Sequence, residues 1–324
     1  MKDAELLFEA IGEIRTDILE EAGQQPKLFG RWAVGNLVAA CLVLCFLVLP
    51  VSAEMSNGYI SNLLAPLYGG ARTEIVECIG KPLNASVTVG DYTLTADAVI
   101  GDRYNIAAVY SLTRVDGKVL PEGLRFGHWA GGGFARGSGG GGLSYRLSED
   151  RETLYITEQW TSTNRLFRIR RNVTSSFQNL VIWKKGQEED TPVQDGLWEL
   201  KFTVRYEDAT MTLPVKGLKV TGADGSDYEI RKLYLSPIGI HMEMLGTPMR
   251  DADHMGAMYQ GFTAQIRLKD GTCVEIKDAN LGGGGKLKGS RFQWRYGAMF
   301  EEPIPLEDMQ SLIVCGTEVP VNGT

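Results

Sequence analysis

The chain has 324 residues, with 33 Lys and Arg against 40 Asp and Glu, a formal charge of −7, and 44% apolar residues. An acidic balance offers no basic face for phosphate, which argues against nucleic acid as a direct partner. Two of the five cysteines, Cys41 and Cys45, fall in an apolar run; the three left over, Cys78, Cys273 and Cys315, are an odd number and make no disulfide framework.

Residues 3–22 read as an amphipathic helix. Leu7, Ile11, Ile14 and Ile18 recur at spacings of four, three and four, which puts them on one face. Glu5, Glu9, Glu13, Asp17, Glu20 and Glu21 fill much of the remainder, and Gly23 and Pro26 close the helix. A lone helix cannot bury such a stripe against itself. Its acidity disfavours an anionic lipid surface, so a protein partner is expected.

From Trp32 to Ala53 no residue is charged. As a helix these residues would extend roughly 33 Å, the thickness of a bilayer's hydrocarbon core. Hydrocarbon offers the backbone no water, and a helix satisfies every backbone group internally. Lys27 and Arg31 precede the run and Glu54 follows it. Positive charge stays on the cytoplasmic side, so residues 1–31 are expected inside and residues 54–324 outside. Val51-Ser52-Ala53 also fits a signal-peptidase site, which leaves cleavage after Ala53 open, although the preceding 31 residues are acidic rather than basic.

Residues 54–80 are expected to form a juxtamembrane connector, partly helical around Ile60, Leu63, Leu64 and Leu67. The period then changes to two. Tyr92, Leu94, Ala96, Ala98 and Ile100 alternate with other residues, and Gly101-Asp102 turns the chain towards Ile106–Leu112. Trp198, Leu200, Phe202, Val204 and Tyr206 alternate with five polar residues. Phe262–Leu268, Asp270-Gly271 and Cys273–Ile276 read as a hairpin. Many short strands separated by turns predict antiparallel sandwiches rather than a parallel sheet. The expected fold is mainly β: an N-terminal amphipathic helix (1–31), one transmembrane helix (32–53), the connector, and two extracellular Ig-like β-sandwich domains at 81–216 and 217–324.

The motifs of catalysis and metal binding are weak. The tract from Gly131 to Gly142 and the run Gly282–Gly285 lack the strand-to-helix setting of a phosphate loop and read as hairpin loops. Asp251, Asp253 and His254 read as a solvated loop, and Asp224–Asp227 as an ordinary turn. Arg165, Arg168, Arg170 and Arg171 alternate in part with Phe167 and Ile169, as a strand with one basic face would. A Cys273–Cys315 bridge and two buried thiols are equally compatible with the sequence. Neither a nucleophile elbow nor a zinc-protease helix occurs, so no catalytic residue, metal or cofactor is assigned.

Several of these segments resemble a known family. The helix Ile11-Gly12-Glu13-Ile14 with Asp17-Ile18-Leu19-Glu20-Glu21-Ala22, one span, and then Leu235-Ser236-Pro237-Ile238-Gly239-Ile240 and Lys269-Asp270-Gly271-Thr272 are similar to a domain-of-unknown-function family of single-pass, anti-sigma-factor-like proteins from Gram-positive bacteria. The resemblance implies that the cytoplasmic helix binds an extracytoplasmic-function sigma factor and that the β region senses an extracellular ligand. Residues 1–31 hold neither His nor Cys, which excludes the zinc-binding type of anti-sigma domain. The alternative is a cell-surface binding or adhesion module in which the tail is incidental.

Overall fold

The structure is a computed structural model that describes residues 58–69, 73–130, 139–162, 170–186, 189–206, 208–222, 225, 227–246, 263–276, 281–288 and 291–321. The helix expected over residues 3–22, with Leu7, Ile11, Ile14 and Ile18, and the span expected over residues 32–53 lie outside these residues. Among the described residues no helix is long and apolar enough to cross a membrane.

Among the described residues two helices come first, α1 (Tyr59–Tyr68) and α2 (Thr73–Ile79). Ile60, Leu64 and Tyr68 fall four residues apart and are all buried, so α1 is an amphipathic helix with its apolar face inward. Gly58, with φ 99°, precedes it, and Gly69 ends it by donating its N–H to Ala65 O at 2.8 Å. The Ser61 N–H, in the first turn of α1, donates to Glu77 Oε1 of α2 at 2.7 Å. The expected connector is therefore helical at Tyr59–Tyr68 and Thr73–Ile79.

Eighteen strands follow among the described residues, and every strand pairing among them is antiparallel. In the first half β1 (Lys81–Val89), β2 (Tyr92–Gly101), β3 (Asn105–Arg114), β6 (Thr153–Ser162) and β5 (Gly139–Leu147) form one sheet in that order. A second sheet is made of β4 (Leu124–Ala130), β7 (Arg170–Ile182) and β8 (Thr191–Arg205). Both sheets feed one apolar core: Leu94, Tyr110 and Ile156 from the first, Phe177, Trp198 and Leu200 from the second. The alternation in β8 is as expected, with Trp198, Leu200, Phe202 and Val204 buried and the intervening Glu199, Lys201 and Thr203 exposed. Trp198 also donates its indole N–H to Tyr92 O at 3.2 Å, tying one sheet to the other.

In the second half β9 (Met211–Leu213) and β10 (Lys219–Thr221) both pair with β11 (Asp227–Ser236), which continues through β12 (Gly239–Gly246) and β16 (Arg291–Met299) to β15 (Leu281–Lys288). The facing sheet runs β14 (Cys273–Glu275), β13 (Ala264–Leu268), β17 (Met309–Val314), β18 (Thr317–Pro320). Trp294, Tyr296 and Met242 from one sheet and Ile266, Leu312 and Val314 from the other share the second core. The strand order of the first half, five strands against β4, β7 and β8, differs from the four-plus-three order of an immunoglobulin constant domain. Alternation along a chain reveals strands but not the sheet each one joins. No disulfide joins Cys273 to Cys315, and the thiols are not a buried pair either, since Cys273 is exposed and Cys315 half-buried.

The glycine runs correct a sequence reading. Gly139–Gly142 begin β5 and Gly282–Gly285 lie within β15, so both are strands and not hairpin loops; residues 131–138 lie outside the description. Strands β5 and β6 of the first half come within 8 Å, Cα to Cα, of β15 of the second. Where their glycines carry no side chain, the edge strands β5 and β15 can approach at backbone distance.

Candidate functional site

Residues 56–324 form one compact unit, and a cluster of buried polar residues joins its two β halves. It begins at the β2–β3 turn. Asp102 follows Gly101, and its Oδ1 accepts the backbone N–H groups of Tyr104 and Asn105, each at 2.6 Å. This is a side-chain-stabilised turn of the kind Asp favours. The second oxygen, Oδ2, accepts Asn105 Nδ2 at 2.9 Å and the Ser236 hydroxyl at 2.5 Å. Burial pushes the Asp102 carboxyl above its usual range, and the bonds from Asn105, Ser236 and the two backbone N–H groups pull it back.

Ser236 belongs to the other half, at the end of β11 where the chain turns into β12. Its oxygen also accepts the N–H groups of Ile238 and Gly239 at 3.2 and 3.1 Å, so the residue that shapes its own turn also clasps Asp102. Asn105 extends the network by accepting the Thr161 hydroxyl of β6 at 3.0 Å. The fit leaves no spare volume. A Cβ at Gly239 would lie 2.6 Å from Asn105 Nδ2, and one at Gly297 would lie 2.7 Å from Thr161 Cγ2.

Beside this clasp, Tyr104 stacks on His241 of β12 with ring centroids 3.7 Å apart and planes 2° from parallel. His241 is 1% exposed, and neither ring nitrogen has a hydrogen-bond partner. Burial, with the positive charges of Arg295 and Lys232, lowers its pKa to about 3, so the ring is neutral. Tyr104 is held well above the usual phenol range by burial and by its hydrogen bond with Tyr234. Arg103 lies over the Tyr234 ring at 5.7 Å and pairs with Asp208 at 3.0 Å. Glu243, on the strand of His241, pairs with Lys232 at 3.3 Å.

The arrangement joins the two β halves through Asp102 with Ser236 and Tyr104 with His241. Ser236 is engaged by Asp102 and by its own turn. Among the described residues no group of three His, Cys, Asp or Glu could hold a metal ion. A second buried polar set lies inside the first core, where the Tyr110 hydroxyl donates to Glu158 Oε2 at 2.7 Å and lies 2.9 Å from Ser175 Oγ.

Of the positions singled out in the sequence, Leu7, Ile11, Ile14, Ile18, Arg165, Arg168, Asp251, Asp253 and His254 lie outside the described residues. Arg170 and Arg171 open β7, opposite Arg205 and Val204 of β8. Asp227 opens β11 and accepts the Thr221 hydroxyl at 2.8 Å, while Asp224 lies outside the described residues. Asp102 was legible only as a turn residue, although the Asp-x-x-Asn spacing is the signal for its clasp. Nothing in the sequence marks the depth of His241.

No protein family matches the sequence, and no curated protein matches it. Among solved structures the chain is similar to "the conserved domain protein from Bacillus anthracis", at 15% identity and a TM-score of 0.49, over 76% of this chain and 79% of that one.

Proposed function

We propose that the protein is a membrane-anchored regulator whose cytoplasmic helix, through Leu7, Ile11, Ile14 and Ile18, binds an extracytoplasmic-function sigma factor, while two extracellular β-sandwich modules respond to a ligand outside. The observation that carries this reading is the charge-free run from Trp32 to Ala53, set between an amphipathic acidic tail and a β unit whose first helix starts at Tyr59. The tail and the β unit then face different compartments, and a stripe with no partner of its own is the part available for a cytoplasmic protein. Two halves joined by buried polar and aromatic contacts suit a module that binds and transmits rather than one that catalyses. Orientation is tested by protease added to intact spheroplasts. Loss of the region beyond residue 54 with survival of the tail is the expected result; protection of the β unit would overturn it, and a soluble form starting at Glu54 would replace the anchor with a cleaved signal.

A further inference from the structure

A third apolar cluster joins pieces that the two main cores keep apart. Ile60 and Leu64 of α1 share it with Ile100 and Val109 of the first half and with Ile238 and Met299 of the second. The second-half residues sit next to the clasp: Ile238 follows Ser236 by two positions in the same turn, and Phe300, after Met299, donates its N–H to Ile238 O at 2.9 Å. The helix pair is itself braced. Glu77 of α2 holds the first turn of α1, and a Cβ on Gly80 would lie 2.6 Å from Ile60 Cγ2 and 2.8 Å from Leu64 Cδ1.

We propose that α1 and α2 form a latch that closes only on the docked pair of β halves, so that a change in their docking reaches the chain just before α1. An interlocked apolar contact is either made or lost, because a packed cluster forfeits contact energy once its partners separate. Ala53 and Tyr59 are six positions apart, so release of α1 alters the chain directly beside the expected span. As a route for an outside event, this rests on the anchored topology proposed above; the packing relation does not.

Amide hydrogen exchange on the full chain in detergent tests it. Ile238→Ala with Met299→Ala removes the second half's share of the cluster. Amides of residues 62–65, 67 and 68 should then exchange at least about tenfold faster, with those of β13 and β17 unchanged. Ile238→Val with Met299→Leu should give a smaller rise in the same residues, and decides the matter if the first pair unfolds the chain. Ile266→Ala, in the second core, is the control. Unchanged α1 exchange in both junction variants would show that α1 docks on the first half alone. An equal rise in the control would show that α1 reports only general loss of stability. Either result overturns the latch. Capture of a sigma factor by residues 1–31 is a separate measurement, so one idea can fail without the other.

Discussion

Ser236 is the residue on which the contact between halves turns. Replacing it with Ala removes the hydroxyl that Asp102 Oδ2 accepts and leaves the Ile238 and Gly239 N–H groups without their acceptor. Unmet buried polar groups cost about 1–3 kcal/mol each, so Ser236→Ala should lower stability by at least about 2 kcal/mol in urea unfolding. A loss below about 0.5 kcal/mol would mean that water satisfies the site. His241 makes a second prediction. Its folded pKa, about 3, lies below the ordinary 6.5, so the unfolded chain binds the proton first and stability falls as pH drops from about 6.5 towards 3. Asp97 acts in the opposite sense, because burial raises its carboxyl to about 6 and the stability this gives is lost as pH rises from about 4 to 6. The charged and titratable groups around His241 are Tyr104, Arg103, Tyr234, Lys232, Glu243 and Arg295. A wild-type melting curve mixes these contributions, whereas the difference from His241→Phe, which keeps a ring beside Tyr104, isolates the histidine. That difference should be flat above pH 7 and shift against the wild type below about 6. Parallel curves from pH 4 to 7 would show that His241 protonates freely in the folded chain.

At the scale of elements, the period-two segments were legible because one face of each sheet is buried. Tyr92–Ile100, Trp198–Arg205 and the Asp270-Gly271 hairpin all appear as strands or turns at those places. Glycine runs were illegible for the same physical reason, since a residue without a side chain carries no alternation. Within β5 the two neighbours Gly141 and Gly142 should respond oppositely to Ala. A Cβ on Gly141 would lie 2.4 Å from Gln159 O and from the Trp160 ring, whereas Gly142 has open space. Gly141→Ala should cost about 1–3 kcal/mol. Gly142→Ala should be neutral or stabilise by up to about 1 kcal/mol, because it restricts the unfolded chain. Thermal melts of the two variants decide this; equal losses in both would mean that the β5 glycines serve close approach to β15 along their whole length.

For the molecule as a whole, the sequence divides at its charge-free run more sharply than at any motif. Which strands share a sheet, and that Asp102 and Ser236 meet 134 positions apart, could not be read from the chain, because those facts depend on pairings between distant segments. The functional claim rests on the tail. Each fully buried Ile contributes on the order of 1.5–3 kcal/mol, offset in part by ordering a helix that is marginal alone. Losing two should weaken binding at least about a hundredfold. Converting Glu9 and Glu13 to Gln should weaken it less, since rim charges chiefly set the encounter rate. The decisive measurement is capture of the cognate sigma factor by immobilised residues 1–31, wild type beside Ile14→Asp with Ile18→Asp. Capture by the wild type and loss in the double variant is the predicted result. Equal capture by both, or none by the wild type, would contradict the regulator and favour a surface binding module.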